Sequence, residues 1–107
     1  MIYICNTSII PQNYEGIIHV MTVKAECVKE LLEKEGFQSA IGHESTARVL
    51  SQILGIEINM NRIQIEAEVG DAIVSFQLAE RLPEGKILSE EELESLEYQF
   101  REIWFMK

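Results

Sequence analysis

The chain has 107 residues, of which 47% are apolar, and a formal net charge of −9. That length sets one domain, residues 1–107, with a core large enough to fold but small enough to gain from a dimer interface. The apolar share excludes disorder, and the acidic balance argues against a partner held by bulk electrostatics, such as long nucleic acid. A small anion in a local pocket stays open, so the placement of the few cations becomes the question. No apolar run approaches the roughly 20 residues of a membrane helix, and the opening Met1–Ile10 stretch lacks the basic region of a signal peptide. The expectation is a cytoplasmic protein, with Cys5 and Cys27 as two buried free thiols in a reducing compartment.

In chain order, Ile2–Cys5 is a short apolar strand that runs into the polar loop Asn6-Thr7-Ser8. Gly16–Met21 reads as a second strand. A helical pattern starts at Thr22, the expected N-cap, and carries Val23, Cys27 and Leu31 at four-residue spacing beside Val28 and Leu32. Gly36 ends it. Ala40-Ile41 precedes Gly42-His43-Glu44-Ser45-Thr46, after which Ala47, Leu50, Ile53 and Leu54 mark one face of a second helix closed by Gly55. His43 therefore falls at a strand-to-helix turn.

Residues 62–82 are the most legible part. Ile63, Ile65, Ala67 and Val69 interleave with Arg62, Gln64, Glu66 and Glu68, and beyond Gly70-Asp71 the residues Val74, Phe76 and Leu78 interleave with Ser75, Gln77 and Ala79. Two alternating runs joined by Gly-Asp predict a central hairpin with a type II′ turn, Val69 opposite Ala72 and Ile65 opposite Phe76. In that register Arg62 lies opposite Ala79 and diagonal to Gln77 and Arg81, about 7–8 Å away at the backbone. A third helix follows a Leu82-Pro83-Glu84-Gly85 turn and the lead-in Lys86-Ile87-Leu88. Ser89 and Glu92 form its capping box, Leu88 and Leu93 its hydrophobic staple, and Glu90-Glu91-Glu92 sits where the helix dipole favours carboxylates. Tyr98–Phe105 alternates again as a closing strand, with Trp104 in the core or in a dimer interface. The fold class is α/β: a mixed sheet with a central hairpin, flanked by about three helices.

Chemistry is sparse. There is no phosphate-binding Gly-rich motif followed by Lys-Ser/Thr, no dinucleotide fingerprint, and no His or Cys at metal-ligand spacing, so neither metal nor cofactor is expected. His19 lies in an apolar strand and reads as structural or as an interface residue. The position of His43 by itself is compatible with a plain turn residue. A helix N-terminus beyond a strand end is, however, where backbone N–H groups meet anions, and ligands of α/β sheets collect there. With Arg62, Gln77 and Arg81 expected nearby, His43 reads as functional. Ser45 and Thr46 are candidates to cap the helix or to hold a phosphate oxygen. Arg81 and Glu84, read alone, make a surface salt bridge of little consequence.

The segments Ala40-Ile41-Gly42-His43-Glu44-Ser45-Thr46, Asn61-Arg62-Ile63 and Arg81-Leu82-Pro83-Glu84-Gly85-Lys86-Ile87-Leu88-Ser89 resemble, in order and spacing along nearly the whole chain, the viral anti-CRISPR ring nucleases. That resemblance implies a two-fold homodimer of a mixed sheet flanked by helices. It implies metal-independent cleavage of cyclic tetra-adenylate to linear di-adenylates, which switches off type III CRISPR signalling. The family's catalytic histidine falls on His43, and its arginine and glutamate fall on Arg81 and Glu84. Substrate-binding positions fall on Ser45, Arg62 and Gln77, and in the first loop on Asn6 and Ser8, where the sequence differs in detail from the family. Glu80 also departs, standing where members usually carry glutamine. The rival expectation is a binding module that sequesters a cyclic oligonucleotide without cutting it, and a further one is an acidic regulatory partner protein with no such ligand.

Overall fold

The computed structural model describes residues 1–7, 14–79 and 88–107. Its centre is a mixed five-stranded sheet in the order β2-β5-β4-β1-β3, with strands β1 (Ile2–Cys5), β2 (Ile17–Val23), β3 (Gln38–Ser39), β4 (Ala72–Leu78) and β5 (Tyr98–Met106). Strands β3, β1 and β4 run parallel, while β5 is antiparallel to both β4 and β2. Three helices complete the fold: α1 (Ala25–Glu35), α2 (Glu44–Leu54) and α3 (Glu90–Ser95).

The sheet carries a different layer on each face. Ile2, Ile4, Ala72, Val74, Phe76 and Phe100 meet the helices, packing with Val28 and Leu32 of α1, Ala47, Leu50 and Leu54 of α2, and Leu88 before α3. On the other face Cys5, Ile73, Ile103 and Phe105 lie beneath Ile65 and Ala67, with Tyr14 and Ala40 packed alongside. Strand β4 is therefore covered on both sides and reads as a nearly continuous buried run, as parallel-sheet strands do.

The central hairpin does not form. Residues 61–68 lie outside the ladder, because both hydrogen-bonding edges of β4 are occupied, one by β1 and the other by β5. The alternation in this segment records burial against a layer beneath it: Ile65 and Ala67 are buried, while Arg62, Gln64, Glu66 and Glu68 are exposed. At its end the Asp71 N–H donates to the Glu68 carbonyl at 2.9 Å, and Gly70 has φ 95°. Glycine is thus the third residue of the turn, as in a type II turn, rather than the second residue of the expected II′ turn.

Other boundaries move for equally local reasons. Thr22 is not an N-cap but a strand residue paired with Arg101; β2 extends to Val23 and Lys24 takes the cap position of α1. The buried stripe of α1 is Val28 and Leu32, which leaves Cys27 exposed while Cys5 is buried, both as free thiols. Burial pushes the Cys5 thiol up from its ordinary value, partly offset by its hydrogen bond to the Thr7 carbonyl at 2.7 Å. Strand β5 is an inner strand, not a closing one, and the sheet edges are β2 and β3. Helix ends at Gly36 and Gly55 stand as expected, Gly55 in the left-handed conformation. The Ser89–Glu92 capping box is complete, with both reciprocal hydrogen bonds present.

Candidate functional site

The carboxyl ends of the parallel strands β3, β1 and β4 point to one edge of the sheet. Continuing the register Ile4↔Ser39 by three residues and Cys5↔Ser75 by two sets Gly42, Thr7 and Gln77 at one level across that edge. The loop after β1 contributes Asn6, which is half-buried. The chain leaving β3 runs through Gly42 into α2, and His43 takes the N-cap position with an extended backbone, φ −129° and ψ 132°.

His43 is exposed and makes no capping hydrogen bond with its side chain. Imidazole is a poor substitute for the short oxygen-bearing side chains that normally cap, and among the described residues the first-turn N–H groups have no side-chain acceptor. Ser45 and Thr46 do not cap the helix: both lie inside its first turn, Ser45 half-buried and Thr46 buried. Ser45 remains at the end of the helix where an anion would be met. Glu44 forms an exposed ion pair with Arg48 at 3.3 Å, a contact that contributes little to stability.

Arg62 reaches this turn by a route that the expected hairpin did not contain. The Asn61 N–H donates to the Ile41 carbonyl at 2.8 Å, Asn61 Nδ2 donates to the Ser39 carbonyl at 2.8 Å, and Ser39 Oγ donates to the Asn59 carbonyl at 2.6 Å. These bonds fasten residues 59–61 to the end of β3. The next residue, Arg62, donates from Nε to the Gly42 carbonyl at 3.0 Å, which holds a guanidinium beside His43 with its terminal nitrogens uncommitted to any other described group. Arg62 is consequently a neighbour of His43 and not a cross-strand neighbour of Gln77.

Gln77 is exposed on β4, two strands from β3 and so roughly 10 Å across the sheet. It opens on a hollow of about 300 Å³ lined with Leu78, Ala79, Glu97, Tyr98 and Gln99. The structure thus brings His43, Ser45 and Arg62 together at one end of a polar edge, with Asn6 and then Gln77 further along it. Ser8, Arg81 and Glu84, and the departure at Glu80, lie outside the described residues. Among the described residues no group of three or more His, Cys, Asp or Glu side chains is arranged to hold a metal ion. No described helix is long and apolar enough to cross a membrane.

His19 and Trp104 sit elsewhere. They are register partners on β2 and β5, on the helix-bearing side but beyond the helices, and line an apolar hollow of about 510 Å³ with Met21, Val69 and Met106. The half-buried Trp104 donates through Nε1 to Glu102 at 2.9 Å, giving that buried carboxylate a partner.

The fold and sequence have clear relatives. Protein 26 of Sulfolobus islandicus filamentous virus is 44% identical over 110 residues, spanning 100% of this chain and 91% of its own length. ORF117 of Acidianus two-tailed virus is 32% identical over 111 residues, covering 100% of this chain and 92% of its own. A bacterial relative, YddF of Bacillus subtilis, is 41% identical over 64 residues, 60% of this chain and 59% of its own. Among solved structures, B116 of Sulfolobus turreted icosahedral virus superposes with a TM-score of 0.84 at 25% identity, over 96% of this chain and 97% of its own. The family model described as STIV B116-like matches residues 2–100, and this chain belongs to that family.

Proposed function

We propose that this protein is a metal-independent ring nuclease that opens cyclic tetra-adenylate to linear di-adenylates and so switches off type III CRISPR signalling. The observation that carries the reading is the Arg62–Gly42 hydrogen bond, which fixes a guanidinium beside His43 at an uncapped helix N-terminus. One titratable imidazole, one fixed cation and one turn of open N–H groups form a set suited to a phosphodiester.

The chemistry uses the nucleophile that RNA carries. The ribose 2′-oxygen attacks the adjacent phosphorus, the bond to the 5′-oxygen breaks, and the product ends in a 2′,3′-cyclic phosphate. Positioning supplies much of the rate. The hard step is departure of the 5′-oxygen, which His43 assists by donating a proton, a histidine being the side chain that titrates nearest neutrality. Arg62, Ser45 and Gln77 hold the ring, with Asn6 and Ser8 in the first loop. Arg81 stabilises charge on the phosphoryl oxygens. Glu84 orients Arg81 or His43, or takes the 2′-OH proton. Two cuts at opposite phosphodiesters give two di-adenylates, and a homodimer whose two-fold axis coincides with that of the ring presents the same residues to both.

The direct test is incubation with labelled cyclic tetra-adenylate, followed through time by separation of products. Accumulation of linear di-adenylates, first as cyclic phosphates, is expected. Tight binding with no product identifies a sequestering module instead, and no binding removes the reading altogether. Sedimentation at micromolar concentration should show a dimer; an active monomer refutes the two-fold arrangement.

A further inference from the structure

The five strands carry only two residues that are charged at neutral pH, Arg101 and Glu102, and they lie on opposite faces of the sheet. Glu102 faces the helices and accepts from Trp104. Arg101 is half-buried on the other face, register-paired with Thr22 on one side and Ser75 on the other, with Cys5 beyond Ser75. Gln77 and Gln99 are themselves a register pair on that face, two residues nearer the carboxyl end of β4. At the opposite end the same face is apolar, with Ile73, Ile103 and Phe105 buried beneath Ile65 and Ala67. The face therefore changes from hydrocarbon to polar groups on approaching the edge where the site lies.

Arg101 has no carboxylate or carbonyl partner among the described residues. Of the chain's other arginines, Arg48 pairs with Glu44 and Arg62 bonds to Gly42, while Arg81 lies outside the described residues. The strands bring no acid to the face of Arg101, and Glu66 and Glu68 in the overlying segment are turned outward to solvent. A half-buried guanidinium loses hydration, and that loss is normally offset by an anion or by several acceptors. Among the described residues no acidic side chain pairs with this cation, although the chain has 18 acidic residues, and the position is open there for an anion from outside.

We infer that Arg101 is a second anion-binding residue of the site, holding a phosphate of a ligand that extends over the sheet edge from His43 and Arg62. Arg101 stands on β5 and the other two at the end of β3, three strand spacings apart, roughly 14 Å. A ligand touching both ends must carry at least two phosphates well separated in space, which a mononucleotide does not. The inference rests on the reading of this edge as a phosphodiester site, and it adds the span and the multiple charge that such a ligand needs.

Two measurements test it. The first is the affinity of the His43→Ala protein for cyclic tetra-adenylate, with and without Arg101→Gln, over a range of salt concentrations. Loss of the charged contact should weaken binding about tenfold or more and lower the salt slope by about one. Arg101→Lys, which keeps the charge but loses the planar fork, should fall between. Unchanged affinity and slope in a folded Arg101→Gln protein overturn the inference while leaving the ring-binding reading intact. The second follows the Arg101 Nε–H resonance of the unsubstituted protein during titration with inorganic phosphate, which needs neither ring binding nor a variant that folds. A saturable shift supports the inference even if cyclic tetra-adenylate proves not to bind. An unmoved resonance overturns it.

Discussion

Replacement of His43 by alanine separates chemistry from architecture, because this side chain does so little for the fold. The His43 side chain is exposed, caps nothing and makes no hydrogen bond among the described residues, while its backbone carbonyl, which alanine keeps, accepts from the Ala47 N–H at 3.1 Å. Its removal leaves no cavity and strands no buried group, so the cost in stability should stay within about 0.5 kcal/mol. For a domain of this size that lowers the melting temperature by no more than about 3 °C. The effect on cutting should be far larger. A general acid acts where charge builds on the leaving oxygen, so its loss lowers the rate by roughly 10²–10⁴, or about 2.7–5.4 kcal/mol of barrier, while ground-state affinity stays near parental. Single-turnover cleavage of labelled cyclic tetra-adenylate gives the rate, calorimetry on the uncut ring gives the affinity, and a thermal melt gives the stability. Parental cutting by a folded His43→Ala protein refutes the acid role. Unfolding of the variant refutes the structural reasoning, since nothing in the described contacts of His43 supports a large loss.

Arg62→Ala should weaken ring binding, with a melting temperature close to parental, because the lost Gly42 contact is a solvent-exposed hydrogen bond that water replaces; unaltered affinity by calorimetry removes Arg62 from the site. Cleavage should survive excess EDTA, since the 2′-hydroxyl needs no metal-activated water; activity lost in EDTA and restored by magnesium or manganese shows a metal requirement. Leu50→Ala, at a fully buried position in α2, should cost about 3–5 kcal/mol in urea unfolding, a large part of the stability of so small a domain; a cost under about 1 kcal/mol contradicts the packing described. Cys27 should alkylate readily at pH 8 and Cys5 only on unfolding, by mass spectrometry. Because the folded Cys5 pKa lies above the unfolded one, the contribution of this thiol to stability is complete below the unfolded pKa and is lost as pH rises through the folded pKa.

Much of the local structure was legible in the sequence, where short-range rules govern. The Ser89–Glu92 box, the glycine ends of α1 and α2, the face of α2 built from Ala47, Leu50 and Leu54, and the strand-to-helix turn at His43 all depend on contacts within a few residues. Which strands pair is a different matter. The alternation of residues 62–69 identified which side chains are buried, but period two is shared by any extended segment with one covered face. Only the fold decides whether such a segment joins the ladder or lies over it, and here β1 and β5 had already taken both edges of β4. The same competition replaced the expected Arg62–Gln77 neighbourhood with the Arg62–Gly42 bond, through the ties of Asn61 to Ile41 and Ser39. Arg101 escaped notice in the sequence because alternation gives a strand residue its face but not its neighbours on other strands. The sequence alone determined the helices, the glycine ends of α1 and α2, the Ser89–Glu92 cap and the residue types available for chemistry. The tertiary structure decided which of those residues meet, since hydrogen bonds between strands distant in the chain cannot be read from local periodicity.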